Sequence, residues 1–320
     1  MTALAKRYDV VSFGELVVEI FRMDRKAAFH QVGELMGPFP SGASAICIDT
    51  LGKLGARTAF FGPLGDDPFG HAICERLRRD GVDVHPFFCD PETRTGLAFT
   101  RYNADGTREF VYYIRNEAPS LFSPDQLDFE LLISAEWLHI SGNLLTFSDS
   151  AREACWKAAN VVSEAGGKIS FDPNLRAEMA DRAQMAELCK PFLPLLTLAL
   201  PSETEAATMT GIEDEDRACR HLLDAGIELV VRKQGTNGCT LYQSGEKEVH
   251  IPGFVVEEVD PTGAGDSFAA GFLFGLLQGW PPPKCGRFAN ATGALAVTRL
   301  GAMEGIRSRE QVETLLAPSN

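Results

Sequence analysis

The stretch Asp260-Pro-Thr-Gly-Ala-Gly-Asp-Ser-Phe-Ala-Ala-Gly-Phe272 restricts the fold more than any other part of the chain. β-Branched residues precede it (Val255, Val256, Val259), Pro261 to Gly265 supply a tight turn, and an apolar run without a polar face continues to Leu277. This pattern predicts a strand, a glycine turn and a helix buried on every side. The first N–H groups of a helix have no partner inside it, and the helix dipole adds partial positive charge where they point outward. Gly263, Ala264 and Gly265 carry almost no side chain, so an anion can come close to that backbone. Asp266 opposes such an anion unless its task is to take a proton from a group attacking it. A carboxylate beside an anion cradle suits transfer of a phosphoryl group to an alcohol. The plainer alternative is that Asp266 caps the helix.

The remainder of the chain alternates strand-like and helical runs. Val10–Phe13, Thr58–Phe61, Glu136–Ile140, Lys168–Phe171, Leu195–Leu200 and Leu229–Val231 read as strands, with amphipathic segments such as Ala151–Ala165 and Asp216–Ala225 between them. Gly211 and Gly226 read as helix stops. Alternation of this kind predicts a mostly parallel sheet covered on both faces. Two regions break it, Leu16–Pro40 and Thr95–Arg115, which hold short alternating strands and a candidate hairpin turn at Asn103-Ala-Asp-Gly106 and by themselves read equally as a plain antiparallel extension of the sheet edge or as a separate β element. No repeat or linker divides the 320 residues, so one domain spanning 1–320 is expected.

Composition excludes several classes. The 30 basic and 44 acidic side chains give a net charge of −14, which disfavours nucleic acid and anionic membranes. A phosphate site in such a chain depends on local donors and metal ions. No apolar run is long enough to cross a bilayer, and Met1–Arg7 lacks the apolar core of a secretory signal, so a cytoplasmic location is expected. The eight cysteines are scattered without a close-spaced pair, which argues against a zinc or redox motif and for buried free thiols. The six histidines show no metal-ligand spacing. P-loop and dinucleotide fingerprints are both absent, leaving the 263–265 turn to hold phosphate.

The long string beginning at Asp260 resembles the C-terminal signature of the ribokinase/PfkB family of carbohydrate kinases. Tyr8–Ile20 is similar to the family's first strand and its turn toward substrate, and Ser41–Gly55 to its first signature helix. Phe61–Gly70, Phe171–Arg176, Pro201–Glu205 and Val230–Gly238 follow in the family's order. The resemblance implies a three-layer α/β sandwich of ribokinase type. It also implies a β lid built from about 16–40 and 95–115 that covers the sugar, and ATP with Mg²⁺ as phosphoryl donor. Asp266 is then the general base and the backbone of Gly263, Ala264 and Gly265 the anion hole, in which a single donor contributes about 3–4 kcal/mol.

By the same resemblance, Ser202, Lys233, Gly235, Gly238, Gly263, Gly265 and Asn290 border the nucleotide. Glu205 holds Mg²⁺ through water, although Ser202 stands where the family has Asn and Glu205 alone reads as a helix-start carboxylate. Lys233 reads equally as a phosphate contact or as a solvated loop lysine. Asp260, Thr262 and Gly301 match a family site for a monovalent cation, so activation by K⁺ is a hypothesis. Glu19, Ser41, Gly42, Tyr112, Arg115, Arg176 and Asp266 are the expected sugar contacts, with Ile46 replacing an amide and making one wall less polar.

Two branches of the family remain open. Tyr112–Ala118 is similar to the lid segment of 2-keto-3-deoxygluconate kinases, where Arg115 and Arg176 suit a sugar carboxylate. Gly37–Ala43 looks like the tagatose-kinase branch, whose substrate is an uncharged ketohexose, and the reading leans to a ketohexose of the tagatose or fructose type. Nucleoside kinases and a non-catalytic sugar-binding regulator are further alternatives, the last opposed by the intact Asp266. The exposed edge of the lid needs a cover, which makes a homodimer through the lid an expectation.

Overall fold

The computed structural model describes residues 6–88, 92–103, 105, 107–175 and 182–317. Thirteen strands occur among them: β1 (Tyr8–Phe13), β2 (Val17–Arg22), β3 (Leu35–Ser41), β4 (Thr58–Leu64), β5 (Val82–Phe88), β6 (Gly96–Tyr102), β7 (Arg108–Tyr113), β8 (Ala135–Ser141), β9 (Lys168–Asp172), β10 (Leu198–Ala199), β11 (Leu229–Lys233), β12 (Cys239–Gln243) and β13 (Val249–Ile251). The helices are α1 (Ala43–Lys53), α2 (Pro68–Arg79), α3 (Phe129–Ile133), α4 (Asp149–Glu164), α5 (Arg182–Cys189), α6 (Glu205–Thr210), α7 (Glu215–Asp224), α8 (Ala264–Leu277), α9 (Pro282–Ala296) and α10 (Arg309–Leu316).

Nine strands form one sheet in the order β13-β12-β11-β10-β9-β8-β1-β4-β5. All pairs from β11 to β5 are parallel, and only β11–β12 and β12–β13 are antiparallel. Strands buried on both faces are apolar almost throughout, and β4 is buried along its whole length. Val10 of β1 joins a core with α1, α2, α8, α9 and α10, whereas Val11 and Phe13 join a second core with α3 to α7. The period-2 alternation of one strand thus feeds both cores and makes three layers: helices, sheet, helices.

The second sheet has the order β3-β2-β6-β7 and comes from the two regions that break the alternation. Strands β2 and β6 pair in parallel, and the other two pairs are antiparallel. Ala104 and Gly106 of the candidate hairpin turn lie outside the described residues, but β6 and β7 pair up to Tyr102 opposite Arg108. This is the expected lid, carried on the end of β1 through β2.

Two strand expectations fail. Residues 255–259 form no strand, and Val255 is 99% exposed. Its β-branched residues have the propensity, but the strand order ends at β13 and the segment pairs with no strand there. Leu195–Leu200 contains only the two-residue β10, because Leu193–Leu195 turns as a 3₁₀ helix around Pro194, which has no N–H to give a ladder. Helix α8 is as expected, buried from Asp266 through Gly275. Gly211 caps α6 in the left-handed conformation, and Gly226, with φ 108°, follows the Ala225 cap of α7. Seven cysteines are buried free thiols, and Cys89 lies outside the described residues. No described helix is long and apolar enough to cross a membrane.

Candidate active site

The glycine turn sits where the sequence places it. Gly263 caps α8 with φ 80°, and a Cβ there would lie 2.8 Å from the Ala302 carbonyl oxygen. Only glycine meets both conditions without strain. The Ala264 N–H bends back to the Pro261 carbonyl at 3.3 Å, so its share in holding an anion is smaller than that of its neighbours. Asp266 follows in the first turn and is buried. Asn174, in the left-handed region at φ 43° just past β9, donates Nδ2–H to Asp266 Oδ1 at 3.1 Å. From the other side, Thr50 of α1 and Ser267 share a hydroxyl hydrogen bond at 3.3 Å that fixes α8.

Lys233 is buried, not solvated, and the loop-lysine alternative falls. It ends β11, and its Nζ donates to Asp172 Oδ2 at 2.5 Å across the intervening β10. A Cβ at position 265 would lie 3.3 Å from that Nζ, so the lysine reaches the anion turn through the space glycine leaves. Burial pulls the Lys233 ammonium toward neutrality, but Asp172 and Glu205 outweigh it and hold the pKa above its ordinary value. Glu205 opens α6, and its oxygens accept N–H from Leu175 at 2.7 Å and Ser202 at 2.6 Å. Burial pushes its carboxyl up, against the pull of Lys233.

These groups also bear on magnesium. Asp172, Glu205 and Asp266 surround one ammonium, leaving net negative charge, and buried Asp172 Oδ1 has no hydrogen-bond partner among the described residues. Oxygens of this kind suit a hard cation that keeps its water. The donor set fits Mg²⁺.

Under the lid the cleft is rich in acceptors. Glu19 on β2 is buried and accepts the Thr100 hydroxyl of β6. Glu15, not expected from sequence, is buried beside it, its Oε1 accepting Ala43 N–H at 2.9 Å and Asn143 Nδ2–H at 2.7 Å. Asn143 Oδ1 is buried without a partner among the described residues. Ser41, Gly42 and Ile46 line the same wall. Tyr112 and Arg115 line the cleft from the lid, together with Arg108 and Phe110, but both arginines are exposed at the rim. Arg176 lies outside the described residues. The signals for Glu15 and Asn143 were present in sequence: each follows the C-terminal end of a parallel strand, where α/β ligand crevices form.

Beyond the anion turn, Gly235–Asn237 forms a 3₁₀ turn ending at Gly238, and both glycines line the cleft with Ser202, Thr236 and Phe254. Arg287 stacks its guanidinium over Phe254 at 3.8 Å. Asn290 also borders this half, but its Nδ2 donates to the carbonyls of Ile251 at 3.1 Å and Pro252 at 3.2 Å. Its amide therefore shapes the loop bordering this half of the cleft.

Asp260 is fully buried below the turn. It accepts the Tyr102 hydroxyl and Thr262 N–H (2.9 Å) on Oδ1, and Gly301 N–H (2.8 Å) on Oδ2. The three predicted cation-site residues thus meet, with the backbone N–H groups of Thr262 and Gly301 donating to the Asp260 carboxylate.

Glu15, Glu19, the anion turn with Asp266, Lys233, Gly235 and Gly238 line one continuous cleft of about 1320 Å³ between lid and sheet. It joins an acceptor-rich half, a central anion turn with its carboxylate, and a glycine-lined half. Residues 8–309 match the family model described as pfkB family carbohydrate kinase. Fructokinase-2 of Solanum habrochaites is 32% identical over 318 residues, covering 96% of this chain and 95% of that one. A candidate ribokinase II from E. coli, solved with ATP and Mg²⁺, superposes with a TM-score of 0.91 at 37% identity, covering 97% and 99% of the two chains. A double mutant of the fructokinase from Vibrio cholerae O395, bound to fructose, ADP and a potassium ion, gives 0.84 at 26% identity over 98% and 100%.

Proposed function

The chain belongs to the pfkB family of carbohydrate kinases, ATP-dependent phosphotransferases, and we propose that its acceptor is a neutral ketohexose of the fructose or tagatose type, phosphorylated at its terminal primary hydroxyl. The observation carrying this reading is the pair of buried carboxylates under the lid, Glu15 and Glu19, next to the unpartnered Asn143 Oδ1. Carboxylates and an amide oxygen accept hydrogen bonds from sugar hydroxyls. The same charges repel a sugar acid in a water-poor site. Arg108 and Arg115 keep the 2-keto-3-deoxygluconate reading alive as a second possibility, since both line the cleft and can pair with a carboxylate, but their exposure leaves them screened.

In this mechanism Asp266 takes the proton of the attacking hydroxyl while Asn174 holds its carboxylate in place. The turn at Gly263–Gly265 and the Lys233 ammonium meet charge that develops on the phosphoryl oxygens. Glu205 and Asp172 supply oxygens toward magnesium and its water, and that ion neutralises nucleotide phosphate when bound. Ser202, Gly235 and Gly238 border the nucleotide, and the lid excludes water.

The test is ADP release by the purified protein against fructose, tagatose, 2-keto-3-deoxygluconate, ribose and adenosine. A preference for fructose or tagatose is expected, and Asp266→Asn should keep sugar binding while turnover falls by about 10²–10⁴. A preference for the keto-deoxy acid would move specificity to Arg108 and Arg115, and unchanged turnover in Asp266→Asn would refute the base.

A further inference from the structure

The turn that follows α9 touches the anion turn at two points. Gly301 donates its N–H to Asp260 Oδ2 at 2.8 Å, and the Ala302 carbonyl lies against Gly263, where a Cβ would come within 2.8 Å of its oxygen. Residues 301–304 close on themselves through the Glu304 N–H and the Gly301 carbonyl at 3.0 Å. Gly305, next in the chain, packs backbone on backbone against the end of α9, since a Cβ there would lie 2.3 Å from the Leu295 carbonyl oxygen. Whatever fixes this turn also fixes the base of the anion turn.

Two cations from two other helices hold it. The Met303 carbonyl accepts from Lys53 Nζ of α1 at 2.6 Å and from Arg76 Nη2 of α2 at 2.6 Å. Arg76 also donates Nη1–H to the Glu304 carboxylate and Nε–H to Asp80 Oδ2 at 2.5 Å. Lys53 pairs with Asp49 Oδ2 at 2.5 Å and with Asp80 Oδ2 at 3.3 Å. The side chains of Asp49, Lys53 and Arg76 are 0%, 6% and 11% exposed, so the cluster lies inside the protein, and neither cation lines the cleft. Buried ion clusters contribute little net stability, because desolvation offsets their attraction and apolar groups of similar volume often do as well. What this one adds is direction. Both cations converge on one carbonyl, and the planar fork of Arg76 joins the backbone of Met303, the side chain of Glu304 and the end of α2 at once.

We propose that Lys53 and Arg76 are positioning residues for phosphoryl transfer: they hold the 301–304 turn, and through it the anion turn, in the geometry that meets the developing charge. Preorganised donors act only when they are already aimed, and a misplacement of about 1 Å can cost about 10²-fold in rate. Met303 adjoins Ala302 in the chain, so a shift of its carbonyl passes directly to the contacts at Gly263 and Asp260. Neither residue touches the reacting atoms, and both act through the backbone of that turn. The proposal rests on the kinase reading only for its rate assay, and it is indifferent to which sugar is used.

The experiment compares the wild type, Arg76→Met and Val162→Ala, the last a control in the core on the other side of the sheet. Values of kcat and KM are read at one fixed interval below each melting temperature, and amide hydrogen exchange is followed without substrate. Arg76→Met keeps an unbranched apolar stem and removes the fork. It should lower kcat by roughly 10- to 100-fold and leave KM for sugar and ATP within about threefold, the signature of a group that serves the transition state. Exchange should quicken in residues 258–266 and 298–305 and stay unchanged in α4. Val162→Ala loses stability to a cavity and should keep the wild-type kcat. A folded Arg76→Met with wild-type kcat, or with exchange quickened no more in those two segments than in α4, would overturn the proposal. If Arg76→Met does not fold, Arg76→Lys is read in the same way, since an ammonium keeps the charge but lacks the fork. Exchange requires no turnover, so a wild type inactive on every sugar would reject the kinase reading while exchange still decides this one.

Discussion

Replacing Lys233 by Met isolates the buried charge cluster at the heart of the site. Lys233 and Asp172 are 8% and 1% exposed, with Nζ and Oδ2 at 2.5 Å, and Glu205 and Asp266 add further negative charge around the same ammonium. Met fills nearly the same volume, so the change removes charge and little packing. Breaking a buried pair by deleting one partner costs about 3–5 kcal/mol, because the other is left uncompensated. The double variant Lys233→Met, Asp172→Asn removes both partners and should recover about 2–3 kcal/mol of that loss as a coupling energy. Urea unfolding at pH 7.5, with the slope checked for constancy, measures all three. The pH dependence supplies an independent sign. Lys233 has a raised pKa, so its contribution is complete below the ordinary lysine value and is lost only as pH rises through the folded value. Without the ammonium, which draws its carboxyl down, Glu205 binds its proton more tightly in the folded state. The deficit of Lys233→Met should therefore shrink as pH falls from about 8 to 5. A single variant as stable as the wild type, or a double variant showing plain additivity, would refute the view that this ammonium holds the carboxylates together.

Gly263→Ala forces a side chain into φ 80° and against the Ala302 carbonyl, and should cost about 1–2 kcal/mol of stability by urea unfolding together with most of the turnover. Asp67 caps α2 with N–H bonds from Phe69 and Gly70 and also holds Thr95, so Asp67→Ala should cost about 1–2 kcal/mol. Burial pushes the Asp67 carboxyl up, but these donors outweigh it and hold it below the usual range. Its contribution is thus present above the ordinary carboxylate pKa and lost as pH falls through the lower folded value, a loss that acid titration of the alanine variant should not show. The exposed lid residues Leu35, Met36 and Tyr113 should be covered by a second copy of the chain. Light scattering should give twice 34.8 kDa, and a monomer at working concentration would reject the lid dimer.

What the sequence determined by itself was local. A run of small residues followed by an unbroken apolar stretch has one low-energy solution, a glycine turn and a buried helix, and α8 forms there with Gly263 in the left-handed region. Alternation of strands and helices likewise leaves little choice beyond a parallel sheet between helical layers. Residues 255–259 show the limit: β-branched side chains make a strand only when the segment pairs, and this one pairs with no strand. The tertiary structure decided the charge states and the partnerships. Lys233 reads equally as a phosphate contact or a loop lysine until β9 and β11 are placed on either side of β10, which brings it to Asp172, 61 residues away in sequence. Glu15 is one acidic residue among many until Asn143, 128 residues away, and the start of α1 close over it. Tyr102 and Asp260, 158 residues apart, meet only because the lid folds back on the anion turn. Such pairs leave no periodicity in the chain, since their spacing is set by the layout of the sheet and the lid.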